Sequence, residues 1–131
     1  MRFLIVDDDE GIHLLLQAML AEYAVCDCFA SGETALAAFN RAHEEEWPYD
    51  VVFMDILMPG MDGHQAAEIM REQEKEFGVA HQEQFKLVMI TSLVDDTNVS
   101  KAFFNTDAIC YLVKPLDRSK VLDELRQNLI L

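Results

Sequence analysis

Short apolar segments alternate with amphipathic segments along the chain, and this alternation restricts the fold more than any other feature. Apolar segments of strand length occupy residues 3–6, 24–29, 50–54, 87–90 and 109–113. Apolar residues recur at helical spacing over 12–23, 31–40, 63–77, 98–104 and 117–129. Because parallel strands need a crossover, strands that alternate with helices favour a parallel sheet. The sequence predicts a doubly wound (βα)5 α/β fold with helices on both faces of a five-stranded parallel sheet.

Local signals mark the ends of the predicted helices and one loop. Ser31 and Asp117 stand where N-caps are expected for the second and the last helix. Pro59-Gly60 and Asp62-Gly63 predict a turn-rich loop after the third strand, and the acidic run 44–46 predicts a solvated helix end or loop. The inward side of the first helix is predicted to consist of Ile12, Leu15, Leu16, Met19 and Leu20.

Composition limits the possible classes of function. The 131 residues are enough for one domain, 1–131, and the net charge of −14 disfavours direct binding to nucleic acid or to an anionic membrane. No apolar run approaches the ~20 residues that span a bilayer, and no signal peptide is evident. Cys26, Cys28 and Cys110 form neither a disulfide framework nor a zinc set, so we expect buried thiols in a cytoplasmic protein.

Acidic residues crowd the end of the first predicted strand. Residues 3–10 run FLIVDDDE, so that an apolar segment leads directly into Asp7, Asp8, Asp9 and Glu10. Two carboxylates ~4 Å apart repel each other by about 4 kcal/mol at an effective dielectric constant near 20. A cation held between them would remove this repulsion.

Other polar residues follow the other predicted strands. Asp55 follows the third strand, Thr91 and Ser92 follow the fourth, and Lys114 follows the fifth. The carboxyl ends of parallel strands meet at one edge of the sheet, so these side chains should converge with the acids of the first strand. Few carboxylates and open positions for water suit Mg²⁺. The set predicts phosphoryl transfer, with Asp55 as the nucleophile and with Lys114 and Thr91 binding the transferred group.

Four segments at these strand ends resemble one protein family. VDDDEG, MDILMPGMDG, ITS and YLVKP occur in the order and at the spacing of the receiver domain of two-component response regulators. The resemblance covers essentially the whole chain. It implies the flavodoxin-like form of the fold and a stand-alone receiver similar to chemotaxis regulators.

The resemblance also implies roles at the metal site. Asp55 matches the phosphoacceptor, and Asp8 matches the acid that binds Mg²⁺ directly. Asp7 matches the acid that reaches the metal through water. The backbone carbonyl of Leu57 matches the third protein ligand.

Further positions match the residues that respond to phosphorylation. Lys114 matches the lysine that pairs first with the acceptor and then with the phosphoryl group, and its bond to Pro115 matches a bond that is usually cis. Thr91 and Tyr111 match the switch residues. Their movement would remodel the face formed by the predicted helix at 98–104, the fifth strand and the last helix.

Some positions depart from the family pattern. Asp107-Ala108 stands where the family usually has Gly-Ala, so we expect the preceding turn to close through Asn105 in a left-handed cap. The connection 72–84 is longer and more polar than usual, which predicts an extended third helix or a surface loop. Asp9 matches no family role.

Residues outside the motifs are given structural interpretations. The histidines show no metal-ligand spacing and none is placed on a phosphodonor helix, so we predict that all of them lie at the surface: His13, His43, His64 and His81. Phe103 and Phe104 are adjacent, so one of them should lie away from the sheet, either against the last helix or exposed as a partner contact.

Two other carboxylate-rich sites do not fit the sequence. An EF-hand loop beginning at Asp7 would place Ala18 where a glutamate is required. A phosphatase of the haloacid dehalogenase type needs an acid two residues after the nucleophile, but Leu57 stands there.

We therefore expect Asp55 to receive a phosphoryl group from a histidine kinase or a histidine phosphotransfer protein, with Mg²⁺. The chain would act as a switch for a downstream protein, as a monomer or weak dimer, and would catalyse only its own phosphorylation and dephosphorylation. Alternatives are a phosphate shuttle or sink and a phosphorylation-independent pseudo-receiver. Apolar Leu57 and Leu93 cannot orient an attacking water, which predicts a long-lived phosphoryl group. The start at Met1 and the ending NLIL favour a free-standing protein over a fragment.

Overall fold

A five-stranded parallel sheet lies at the centre of a computed structural model that describes residues 1–92 and 106–131. The strand order is β2-β1-β3-β4-β5, so the direction of winding reverses between β1 and β3. This confirms the doubly wound sheet. The strands are β1 Arg2–Val6, β2 Val25–Phe29, β3 Val51–Asp55, β4 Lys86–Thr91 and β5 Ala108–Val113.

Four α-helices and a 3₁₀ turn are present within the described ranges. They are α1 Glu10–Leu20, α2 Gly32–Glu44, α3 Gly63–Phe77, the 3₁₀ turn His81–Glu83 and α4 Arg118–Gln127. The predicted helix at 98–104 lies outside the described residues, as do Leu93, Phe103, Phe104 and Asn105. In the described part of the chain, no helix combines the length and the apolar run that crossing a membrane requires.

The core forms two layers because alternate residues of each strand point to opposite faces of the sheet. Leu4 and Val52 pack with the buried side chains of α2 and α3, whereas Phe3 and Phe53 pack with those of α1 and α4. All four are completely buried. Helices therefore cover both faces, as predicted.

Capping side chains begin the helices as the sequence suggests. Ser31 accepts a hydrogen bond from Thr34 N at 3.2 Å, and Asp117 accepts one from Ser119 N at 2.9 Å. Asp9, which matched no family role, is the N-cap of α1 and accepts from Gly11 N at 2.8 Å. Helix α2 continues beyond the predicted end at residue 40, and Glu44 of the acidic run is its last residue.

The beginning of β5 contains one residue more than the facing part of β4. Leu87 pairs with Ala108 and Val88 pairs with Cys110, so Ile109 forms a bulge. In the turn before it, Asp107 has a left-handed conformation with φ of 56°, and the predicted cap residue Asn105 lies outside the described residues. An aspartate tolerates this conformation better than most residues with a side chain.

The predicted exposure was wrong for one histidine and for one leucine. His64, predicted at the surface, is only 3% exposed because it lies in the buried first turn of α3; His13 and His43 are half-buried and His81 is exposed. Leu15, predicted to face inward, is 36% exposed because α1 packs on the sheet through its neighbours Ile12 and Leu16.

The cysteines are free, but only Cys110 is buried, and Cys26 and Cys28 are half-buried on β2. Burial raises the pKa of the Cys110 thiol to about 12 and that of Cys28 to about 11. Both therefore remain protonated thiols at neutral pH.

A buried ion pair ties α3 to the amino ends of β4 and β5. Arg71 Nη1 lies 2.9 Å from Glu74 Oε1 and donates to Phe85 O at 2.7 Å, and Arg71 Nε donates to Thr106 O at 2.9 Å. Glu74 Oε2 accepts from Phe85 N at 2.8 Å, and the guanidinium lies 3.8 Å from the Phe85 ring centroid. We call these four residues the Arg71 clamp.

Candidate functional site

Three carboxylates converge at the carboxyl edge of the sheet. Asp7 and Asp8 follow β1, and Asp55 is the last residue of the neighbouring strand β3. Among the described residues they form a group whose ligand oxygens all lie within 4.8 Å of one another. Asp7 and Asp55 are buried, whereas Asp8 is exposed to solvent. The predicted convergence is therefore present.

Lys114, the residue directly after β5, brings one positive charge to the three carboxylates. Its Nζ lies 2.9 Å from Asp7 Oδ2 and 3.6 Å from Asp55 Oδ2. Its backbone N–H donates to Thr91 O at 2.7 Å, which continues the β4–β5 pairing to the site, and its bond to Pro115 is cis, as the resemblance implied. The shorter ion pair joins Lys114 to Asp7 and not to the candidate acceptor. We call Asp7, Asp8, Asp55 and Lys114 the acid pocket.

The acid pocket holds more negative than positive charge. Burial and the nearby charge of Asp7 raise the pKa of Asp55 to about 7, although Lys114 acts in the opposite direction. Burial would lower the pKa of Lys114, but its hydrogen bond to Asp7 and the charge of Asp55 outweigh burial and raise it. One ammonium thus faces several carboxylates and does not neutralise them.

The donor atoms fit a hard divalent cation. Carboxylate oxygens are the ligands that Mg²⁺ prefers, and the excess negative charge would be relieved by binding it. The exposed carboxylate of Asp8 leaves the pocket open to solvent. Leu57, whose backbone carbonyl is the predicted third ligand, lies two residues beyond Asp55 with its side chain 50% exposed.

Two residues that the sequence analysis did not assign to the site hold Asp7 in place. The Asp9 backbone N–H donates to Asp7 Oδ1 at 2.9 Å, and His13 Nε2 lies 2.6 Å from the Asp7 carbonyl oxygen. Because a carbonyl only accepts, Nε2 of His13 carries the hydrogen. The capping position of Asp9 is readable from sequence, but no local pattern indicates the contact made by His13.

The start of α3 is built against the acceptor strand. A Cβ atom at Gly63 would lie 2.1 Å from the Asp55 carbonyl oxygen and 2.9 Å from Ile56 Cα. No real side chain tolerates such a contact, so only glycine fits. Gly63 N also donates to Ile56 O at 2.9 Å, which closes the base of the β3–α3 loop.

The two predicted switch residues lie on β4 and β5. Thr91 is 2% exposed at the end of β4, one residue beyond Ile90, which is the register partner of Asp55. Tyr111 pairs with Met89 and is 38% exposed, on the side of β5 opposite to the buried Cys110 and Leu112. Their response to phosphorylation stays a prediction.

Comparison with known proteins identifies the family of the chain and agrees with its fold. A family model described as the response regulator receiver domain matches residues 3–126. The regulatory protein VanRB of Enterococcus faecalis is 35% identical over 116 residues, which are 87% of this chain and 46% of that protein. The chain spans between 7% and 56% of the length of curated relatives of this kind.

Solved structures share the whole fold. The chemotaxis protein CheY4 of Vibrio cholerae has a TM-score of 0.79 at 24% identity, with 96% of each chain covered. A CheX–CheY–BeF3–Mg²⁺ complex from Borrelia burgdorferi has a TM-score of 0.77 at 26% identity, covering 97% of this chain and 87% of that one. With the family model over nearly its whole length, the chain belongs to the response regulator receiver domain family of two-component signalling.

Proposed function

We propose that Asp55 accepts a phosphoryl group from a phosphohistidine of a histidine kinase or a histidine phosphotransfer protein. The observation that carries this proposal is the acid pocket, in which the carboxylate oxygens lie within 4.8 Å of one another beside the Lys114 ammonium. A carboxylate oxygen of Asp55 attacks phosphorus, an O–P bond forms, and the N–P bond of the donor breaks. The electron pair of that bond stays on the imidazole nitrogen.

Each residue of the pocket has a role in this step. Lys114 neutralises charge on the transferring oxygens, and the Thr91 hydroxyl donates a hydrogen bond to one of them. Asp8 and Asp55 would hold Mg²⁺ directly, Asp7 through water, and Leu57 through its carbonyl. When bound, Mg²⁺ supplies positive charge to the phosphoryl oxygens. Attack by water later releases inorganic phosphate, so the chain acts on no substrate beyond its own acyl phosphate.

Phosphorylation would act as a switch for partner binding. A new charge on Asp55 draws Thr91 and Tyr111 toward the site and shifts a two-state equilibrium. The half-exposed Tyr111 on edge strand β5 favours a partner that reads this face. The free cysteines and the strongly acidic surface favour a cytoplasmic protein with protein partners and not nucleic acid.

The test is the intact mass after incubation with acetyl phosphate or phosphoramidate and Mg²⁺, for the native chain and for Asp55→Asn. We expect one phosphoryl group on the native chain, dependent on the metal and absent from the variant. A native chain that is folded but gains no mass would contradict the proposal and favour a pseudo-receiver.

A further inference from the structure

The loop of residues 56–62 connects β3 to α3, and local hydrogen bonds hold both of its ends. Gly63 N donates to Ile56 O at 2.9 Å. Asp62 accepts from Gln65 N at 2.9 Å, and Gln65 Oε1 accepts from Asp62 N at 3.0 Å. These three hydrogen bonds hold the two ends of the loop. None of them involves residues 59–61, which form the tip of the loop.

A restraint on the tip comes from α2, which is distant in sequence. Glu33 Oε1 accepts a hydrogen bond from Met61 N at 3.2 Å, between residues 28 positions apart. Hydrogen bonds from its own backbone N–H and from Met61 lower the pKa of Glu33, so the acceptor is a carboxylate at neutral pH. A charged acceptor makes the stronger hydrogen bond.

Side-chain packing brings the same two elements together. A Cβ atom at Gly32 would lie 3.2 Å from the Met61 sulfur and 3.3 Å from its Cγ, so a side chain there would push Met61 aside. Met58 of the same loop is buried in the core layer that also contains Ala35 of α2. The first turn of α2 and the loop therefore pack as one unit.

We propose that Glu33 is a positioning residue for the acid pocket, since its hydrogen bond to Met61 holds the loop that carries the Leu57 carbonyl. The inference rests on the proposed function, in which this carbonyl is a ligand of Mg²⁺. Leu57 and Met61 belong to the same short loop and are only four residues apart, so a shift of the loop tip reaches Leu57 through a short length of chain. Mg²⁺ demands near-ideal octahedral geometry, and a small displacement of one ligand therefore weakens binding.

The experiment compares Glu33→Ala, Glu33→Gln and the control Glu76→Ala. Glu76 is an exposed acid on α3, so its replacement removes the same charge without touching the loop. Calorimetric titration gives the Mg²⁺ dissociation constant, and urea unfolding gives the free energy of unfolding. We expect Glu33→Ala to weaken Mg²⁺ binding by about threefold to tenfold, the size of one net hydrogen bond. Glu33→Gln should weaken binding less than Glu33→Ala, because its neutral Oε1 still accepts the hydrogen bond but more weakly than a carboxylate. Glu76→Ala should leave the dissociation constant unchanged.

Each contrary pattern overturns the proposal. Equal weakening by Glu33→Ala and Glu33→Gln would mean that only the negative charge matters. An unchanged dissociation constant for Glu33→Ala, with or without a loss of stability, would leave Glu33 no positioning role.

A metal-free measurement separates this inference from the proposed function. Hydrogen exchange of the Met61 amide, followed by NMR without Mg²⁺, should be faster in Glu33→Ala than in the native chain. If the native chain binds no Mg²⁺, the proposed function and the positioning role both fail. Slow exchange of the Met61 amide in the native chain would then show that Glu33 only stabilises the loop. Equal exchange rates in both proteins would show that the hydrogen bond does not restrain the loop.

Discussion

Two clusters of charge lie at opposite ends of the sheet, and they are built in opposite ways. In the Arg71 clamp, one guanidinium and one carboxylate are matched, and both carboxylate oxygens of Glu74 have a donor. In the acid pocket, several carboxylates face one ammonium, and the pKa of Asp55 rises to about 7. Burial is therefore no guide to function by itself. A balanced buried cluster stabilises the fold, whereas an unbalanced one is suited to bind a cation.

The largest expected effect on stability comes from removing the positive charge of the Arg71 clamp. Arg71→Met leaves the Glu74 carboxylate, whose residue is 1% exposed, without its countercharge. Breaking a buried pair in this way costs about 3–5 kcal/mol of unfolding free energy. Urea unfolding followed by circular dichroism measures the loss.

A surface pair of the same helix gives the control. Lys75 lies 3.6 Å from Glu72 with both side chains about 70% exposed (72% and 69%), so Lys75→Met should cost less than about 1 kcal/mol. If Arg71→Met were no more destabilising than Lys75→Met, the clamp would not differ from an ordinary surface ion pair.

Removing a negative charge from the acid pocket should have the opposite effect and raise the free energy of unfolding. The pKa of Asp55 is raised from 3.8 to about 7, so its contribution to stability is complete below about pH 3.8 and is lost as the pH rises to about 7. The asparagine side chain in the Asp55→Asn variant does not ionise, so the variant does not lose this stability as the pH rises. Without divalent cations it should be more stable than the native chain at about pH 8, by at most about 4 kcal/mol.

The pH dependence distinguishes this cause from a general effect of the substitution. Urea unfolding in the presence of a chelator at about pH 5 and about pH 8 should show a larger advantage of Asp55→Asn at the higher pH. A gap that does not change with pH, or an Asp55→Asn chain that is less stable at about pH 8, would contradict the charge imbalance.

Mg²⁺ should stabilise the native chain by a smaller amount. At a free concentration of about ten times the dissociation constant, a ligand that binds only the folded state adds about 1.4 kcal/mol. The same increment is expected for Arg71→Met, because distant sites act additively. Thermal unfolding with and without Mg²⁺ tests both chains, and an increment lost in Arg71→Met would show that the two clusters are coupled.

The smallest expected effect concerns the lifetime of the phosphoryl group. Leu57 cannot orient a water, but an amide at this half-exposed position could. Leu57→Asn should shorten the phosphoryl half-life by about threefold to tenfold, a rate change of up to about 1.4 kcal/mol. Intact mass against time gives the half-life, and Leu14→Asn, on an exposed leucine of α1, is the control. Hydrolysis of the native chain within seconds would contradict the predicted long lifetime.

Local patterns in the sequence predicted the features that local physics determines. Helix α3 has the predicted bounds Gly63–Phe77, because an N-cap aspartate and a left-handed Gly78 mark its two ends. The strand ends that carry Asp55, Thr91 and Lys114 were found because each apolar run stops at a polar residue. Their convergence then follows from the geometry of any parallel sheet.

Contacts between distant segments could not be predicted in this way. Arg71 reaches Thr106, 35 residues away, and Glu33 reaches Met61, 28 residues away. Neither pair has a periodic signal, since each depends on how a helix packs against a distant segment of the chain. The burial of His64 was not predicted because the absence of metal-ligand spacing suggested a surface position, and no local pattern shows that the first turn of α3 is buried.

The contact between Gly63 and the Asp55 carbonyl has a consequence for protein design. With only 2.1 Å available to a Cβ atom, the acceptor strand and the first residue of α3 cannot be varied independently. A designer who transplants the acceptor aspartate into another scaffold would have to carry over the chain from β3 to the start of α3 as a single module. The smallest transferable part is therefore a strand, a loop and a helix start, and not a lone aspartate.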